Sequence, residues 1–226
     1  VERILHVSSG SVYGASGEQE APLDEVLTPL KPEGLYGVSK QAAEAAVLRL
    51  GQLHGLDVLV GRLGTCFGPW EFDTGVRDTL SPPLQVVQRM LRGEEVVLPR
   101  PGRRDWLYVR DAAAGLVALL DMEKNAGHSP PLYNVAAGFQ WSISHWCDAM
   151  MQEEPGLRWR FANEGETPNV DYHAPYDRAP MDNRRLLAAT GFTPRFDLEA
   201  AACDFRCWLR NHGRPAPRRC AANEET

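Results

Sequence analysis

The stretch from Arg3 to Leu63 constrains the fold most, because it reads strand, helix, strand with no hairpin signal. Arg3-Ile4-Leu5-His6-Val7-Ser8 is a short apolar, β-branched run, the pattern of a buried strand. A loop rich in Gly, Ser, Pro and acidic residues follows, to about Gly34. Residues 36–54 carry Ala, Val and Leu at helical spacing and stop at Gly55, a residue suited to a left-handed C-cap. Leu56–Leu63 is a second buried strand. Two strands joined through a helix pair in parallel by a right-handed crossover. The expected class is α/β.

Downstream the pattern continues. A loop at 69–83 precedes a helix from Leu84 to Leu91, stopped by Gly93. Glu95–Leu98 and Trp106-Leu107-Tyr108 read as short strands, the second feeding a helix from Arg110 to Met122. Leu132–Val135 is a further strand, and Ser142 is placed to N-cap a helix to Met151. Leu157–Phe161 alternates like an edge strand, and helices are expected at Asn183–Thr190 and Leu198–Asn211. The tail 213–226 is Pro- and Arg-rich, then polar, and is expected to be disordered.

Hydrophobic residues make up 43%, which rules out general disorder, and the net charge of −6 gives no electrostatic reason for a nucleic acid or anionic membrane partner. No run approaches the ~20 apolar residues of a membrane span. Five cysteines, an odd count without C-x-x-C spacing, read as reduced thiols, so a cytoplasmic location is expected. Val1–Val7 reads as a strand in progress without an initiator Met, and the chain is expected to begin inside a larger protein. His6 lies mid-strand and is expected to be a packed core residue; His145-Trp146-Cys147 lacks ligand spacing, and no metal is expected.

Two patterns carry chemistry. Ser8-Ser9-Gly10-Ser11-Val12-Tyr13-Gly14 follows the first strand, and Leu35-Tyr36-Gly37-Val38-Ser39-Lys40 opens the long helix. Of six tyrosines, only Tyr36 has a lysine four positions on, which puts the two side chains on one helix face. A phenol holds its proton at neutral pH, and an ammonium one turn away favours the phenolate. A strand-end hydroxyl can hydrogen-bond the same substrate oxygen, giving a proton-transfer site for an alcohol/carbonyl pair. Hydride must then go to a nicotinamide, since no side chain accepts it.

These two segments resemble the active-site signature of extended short-chain dehydrogenases, the epimerase/dehydratase group that includes UDP-galactose 4-epimerase. Gly61-Arg62-Leu63-Gly64-Thr65-Cys66-Phe67-Gly68-Pro69, Arg104-Asp105-Trp106-Leu107-Tyr108-Val109-Arg110-Asp111, Tyr133-Asn134-Val135-Ala136 and Ala189-Thr190-Gly191-Phe192-Thr193-Pro194 continue the resemblance. It implies one domain over 1–212: the second half of a Rossmann-like doubly wound parallel sheet with a small mixed substrate lobe. It implies Ser9, Tyr36 and Lys40 as catalytic residues. Ser8, Gly64 and Thr65, with Tyr36 and Lys40, would meet NAD or NADP; Ser11, Thr65 and Arg104 would meet substrate. Arg104 is equally open to an ion pair with a nearby carboxylate.

Departures narrow the chemistry. No Gly-x-x-Gly-x-x-Gly loop is present to cradle a pyrophosphate. Sugar 4,6-dehydratases of the group carry Asp-Glu where this chain has Gly10-Ser11; nucleotide-sugar epimerases usually carry Asn in place of Thr65 and a later Arg-x-Gly-Asp absent near Val170–His173. The reading is an NAD(P)-dependent sugar or nucleotide-sugar epimerase or oxidoreductase, with a homodimer allowed for. The alternatives are a net dehydrogenase or reductase of a polyol, sugar acid or lactone, and an inactive binding protein that kept the fold.

Overall fold

In the computed structural model, residues 2–74, 80–123, 129–152, 154, 156–172 and 174–212 are described. The tail from Gly213, Cys220 within it, and His173 lie outside them. The strands are β1 (Ile4–Ser9), β2 (Val58–Leu63), β3 (Thr65–Phe67), β4 (Val96–Leu98), β5 (Arg103–Arg104), β6 (Trp106–Tyr108), β7 (Leu132–Val135), β8 (Trp141–Ser142) and β9 (Trp159–Phe161). The helices are α1 (Leu35–His54), α2 (Pro82–Arg92), α3 (Val109–Asp121), α4 (Ile143–Met151), α5 (Arg184–Thr190) and α6 (Leu198–His212). The chain divides into two compact units. One draws on Val1–Cys66, Arg103–Trp141 and Tyr176–Asp197, the other on Phe67–Gly102, Ser142–Pro175 and the chain from Leu198.

The first unit is built on a parallel sheet in the order β1-β2-β7. Side chains of a strand alternate between faces, and β2 shows how the two faces are used. A Cβ on Gly61 would meet Leu116 and Leu119 of α3, and Leu59 and Leu63 join the same core with Tyr133, Val135, Leu186 and Met122. Val58, Val60 and Arg62 point the other way, toward α1: Gly51 of α1 lies against Val58, and Arg62 bonds Glu44 of α1. Helices thus cover both faces, as the doubly wound class requires. Helix α1 ends at Gly55, whose φ of 63° is left-handed, a conformation glycine adopts without a Cβ penalty.

In the second unit β4 and β9 pair in parallel, Val96 with Trp159 and Leu98 with Phe161. Trp146 of α4 stacks on Phe205 of α6 at 6.0 Å, and Phe205 on Trp208 at 5.7 Å. Trp146, Trp208 and, in the first unit, Trp141 are buried, and Trp159 on β9 is half-buried. Cys203 and Cys207 differ from that pattern: both face solvent on α6, whose buried stripe is Ala201, Ala202, Phe205 and Trp208. His6 is only half-buried, though its Nε2 is shielded and has no hydrogen-bond partner among the described residues.

Gly37, in the first turn of α1, sets the position of the whole helix. A Cβ there would stand 2.7 Å from the Ser11 carbonyl oxygen and 2.9 Å from Pro32 Cβ. Neither atom is the free end of a side chain. Gly37→Ala is expected to destabilise the fold by ~1–3 kcal/mol through overpacking. Urea unfolding measures it, and a midpoint equal to that of the unsubstituted protein would show that α1 does not rest on the Ser11 turn as described.

Candidate active site

The carboxyl ends of the three parallel strands are level. Ser9 of β1 is in register with Leu63 of β2, and Leu63 with Val135 of β7. Gly64 follows at once, its N–H donating to the Val135 carbonyl at 2.9 Å, and Thr65 opens β3. Ligands of open α/β sheets bind beyond this edge of the strands.

Ser9 caps the 3-10 turn Gly10–Val12: its Oγ accepts from the Ser11 N–H at 3.1 Å and lies 3.2 Å from Ser11 Oγ. Through Gly37 the same turn carries the start of α1. Tyr36 is 58% exposed there, and its hydroxyl makes no hydrogen bond to any described residue. Lys40 stands one helical turn on, with Nζ 5.7 Å from the Tyr36 ring centroid. One of its N–H groups donates to the Val7 carbonyl of β1 at 3.1 Å, so the ammonium bridges helix and strand. Ser9 and Tyr36 are brought to neighbouring turns but share no hydrogen bond.

Ser8 is 2% exposed, and its Oγ has no partner among the described residues. Gly64 and Thr65 are half-buried at the strand ends. Arg104 lies over the Trp106 ring at 5.5 Å, and Trp106 packs on Trp141 at 5.7 Å. Among the described residues no three His, Cys, Asp or Glu side chains are grouped to hold a metal, and no helix is long and apolar enough to cross a membrane.

Residues 1–136 match the model of the NAD dependent epimerase/dehydratase family. The chain belongs to that family. It is 27% identical over 214 residues to a dTDP-glucose 4,6-dehydratase of Actinoplanes, covering 93% of this chain and 61% of that protein. Its fold is similar to that of RMD from Pseudomonas aeruginosa complexed with NADPH, with a TM-score of 0.68 at 26% identity over 88% of this chain and 64% of that one. The UDP-glucuronic acid 4-epimerase of Bacillus cereus, in complex with UDP-glucuronic acid and NAD, superposes at a TM-score of 0.72 with 18% identity, over 93% and 62% of the two chains. The chain therefore spans about 60% of the length of these relatives.

Several buried polar residues of this epimerase/dehydratase chain were not singled out by their sequence pattern. Arg62, 1% exposed, donates from Nε and Nη2 to the two carboxylate oxygens of Glu44 at 2.9 and 2.7 Å. Its Nη1 donates to Tyr13 Oη and to the Glu25 carbonyl, both at 3.1 Å. Tyr13 in turn donates to Asn134 Oδ1 at 2.8 Å, and burial pushes its phenol up to about 12. The available signal was a lone charge inside the apolar run Val58–Leu63, with an acid four residues beyond Lys40 on the same helical face.

Asp105 and Asp111, the two acids of the Arg-Asp-x-x-x-Val-x-Asp block, both serve the backbone. Asp111 accepts from the N–H groups of Arg195 and Phe196, and Asp105 from those of Ala137, Gly138 and Met181. Burial pushes the Asp105 carboxyl up to about 6, with the three N–H donors offsetting part of that rise. Its folded pKa thus lies above the ordinary 3.8, so its contribution to stability is complete below about pH 4 and is lost as pH rises through about 6. Asn at this position does not titrate. The deficit in urea stability of Asp105→Asn relative to the unsubstituted protein is expected to narrow between about pH 4 and about pH 7; a widening deficit would mean that the backbone donors outweigh burial.

Proposed function

We propose that the protein is an NAD(P)-dependent enzyme that oxidises a hydroxyl-bearing carbon of a sugar or nucleotide sugar, through Ser9, Tyr36 and Lys40. The observation that carries this is Tyr36, 58% exposed with no hydrogen bond from its hydroxyl to any described residue, set by Gly37 against the Ser9–Ser11 turn, with the Lys40 ammonium one turn away. Tyr36 takes the proton of the substrate hydroxyl, Ser9 hydrogen-bonds the same oxygen, and Lys40 presents its ammonium one turn from the Tyr36 ring. A nicotinamide supplies the hydride acceptor when bound. The residues fit its ribose-amide half: Ser8 Oγ, one residue before the end of β1, is a shielded hydroxyl without a partner among the described residues, and Lys40 spends one of three N–H groups on Val7. The NADPH of the Pseudomonas protein and the NAD of the Bacillus epimerase support this cofactor class.

Epimerisation or net oxidation and reduction is favoured over the elimination chemistry of the dTDP-glucose 4,6-dehydratase relative. Elimination needs an acid and a base beside the catalytic hydroxyl, where this chain has Gly10 and Ser11. Position 10 is also close-packed: a Cβ there would stand 2.8 Å from Met181 Sδ, near the end of a flexible side chain that would have to shift, and 3.4 Å from the Leu63 carbonyl oxygen. Met181 is itself buried.

The test is turnover by the intact protein of UDP-glucuronic acid, UDP-glucose and dTDP-glucose with NAD or NADP. Epimerisation regenerates the oxidised cofactor, whereas net oxidation accumulates the reduced form, which absorbance separates. Tyr36→Phe is expected to lower kcat by ~10²–10⁴-fold, the usual effect of removing a positioned acid/base. A variant with the same kcat as the unsubstituted enzyme would exclude Tyr36 as the proton carrier, and a dehydrated product would overturn the reading of Gly10.

A further inference from the structure

Across the three parallel strands, one residue before their ends, Ser8, Arg62 and Asn134 stand side by side in register. All three are buried, at 2%, 1% and 0% exposure, on the face covered by α1. An apolar row would be the ordinary filling for that position. The polar row instead collects every element that presents a proposed catalytic group. Arg62 holds α1 through Glu44, which lies eight residues after Tyr36 and four after Lys40 on one helical face. It holds the chain just beyond Ser9 and Ser11 through Tyr13, over whose ring the guanidinium also sits at 5.0 Å. It holds the loop before α1 through the Glu25 carbonyl, and Asn134 ties in the same loop through the Leu23 carbonyl at 2.8 Å. Glu25 Oε1 returns to the sheet, accepting from the Asn134 N–H at 2.8 Å.

We propose that Arg62 and Glu44 are positioning residues: their buried ion pair fixes the rotation and axial setting of α1, and with it where Tyr36 and Lys40 stand relative to Ser9. The proposal rests on the Ser9–Tyr36–Lys40 reading. Its physical ground is that a buried ion pair is a poor source of stability. Desolvating two charges costs about as much as their attraction returns, and apolar residues of similar volume often replace such a pair with no loss of stability. What apolar residues cannot reproduce is direction. A bidentate guanidinium–carboxylate contact admits one relative orientation of its two elements, whereas methylenes slide. Misplacement of a reacting group by ~1 Å can cost ~10²-fold in rate.

The experiment separates direction from stability. In the intact protein, Arg62→Met combined with Glu44→Met replaces the pair by apolar volume. Its urea midpoint is expected to equal or exceed that of the unsubstituted protein, while kcat for UDP-glucuronic acid or dTDP-glucose stays down by ~10²-fold with KM unchanged. Amide exchange over Tyr36–Gln41 is expected to stay faster than in the unsubstituted protein, a readout that needs no substrate. Return of kcat and of exchange protection together with stability would overturn the proposal, because the pair would then be replaceable filling. Glu44→Gln, which keeps the shape and a single hydrogen bond, covers the case in which the double variant does not fold. There a fall in kcat beyond the unfolded fraction supports positioning, and a fall equal to it overturns it. Failure of the underlying reading looks different: Tyr36→Phe would keep its turnover, while slow or fast exchange in α1 would still report on the pair.

Discussion

The buried pair between Arg62 and Glu44 is the constraint on which the first unit depends. A guanidinium that is 1% exposed in the middle of a parallel sheet has to find acceptors for its N–H groups, because an unpaired buried charge costs several kcal/mol, about 3–5 in measured cases. The chain meets that demand from three directions, with a carboxylate from α1, a phenol from the loop after β1 and a carbonyl from the loop before α1. Two of the three acceptors are then fixed in turn, Tyr13 by Asn134 Oδ1 and Glu25 by the Asn134 N–H. The chain between β1 and α1, whose regular structure is two short 3-10 turns at Gly10–Val12 and Ala15–Glu18, is thereby held in place.

That arrangement explains how much was legible in the sequence. The crossover unit was readable because apolar spacing switches from strand to helix and back across Arg3–Leu63, and because Gly55 ends the helix where a left-handed residue is needed. The expected Glu95–Leu98 strand appears as Val96–Leu98, and Arg110–Met122 as Val109–Asp121, shifts of terminal residues only. Tyr36 and Lys40 were readable because a four-residue spacing is local geometry. Arg62, Tyr13 and Asn134 were not, because their partners lie 18 to 121 residues away. A charged letter inside an apolar strand signals that a partner exists, but only the fold says which. Asp105 is the same case: its sequence neighbours show no partner for it, and its carboxylate accepts from three backbone N–H groups 32 to 76 residues away.

The sequence pattern also fell short where a side chain has no partner. His6, expected in the packed core, is half-buried with a shielded Nε2 that bonds nothing described, and Ser8 Oγ is likewise unpaired one pleat further along the same face. Buried polar atoms are normally satisfied. Ser8 lies one residue before the strand end, beside the proposed cofactor site, whereas His6 lies mid-strand.

The relatives' names give different reactions, a 4,6-dehydratase and a 4-epimerase, on one scaffold, so the scaffold alone does not decide which the proposed Ser-Tyr-Lys set would serve at a hydroxyl-bearing carbon. The distinction has to lie in what stands beside that carbon afterwards. In this chain the place beside Ser9 is filled from below, by the buried Met181 side chain pressed against Gly10, and Ser11 Oγ is turned back to Ser9 Oγ. On the proposed reading, a substrate at Ser9 has the Ser11 hydroxyl and the Met181 thioether near it, neither of which is an acid or base near neutral pH. Gly10 and Ser11, more than the proposed Ser-Tyr-Lys set, are then what would set this chain apart from elimination chemistry.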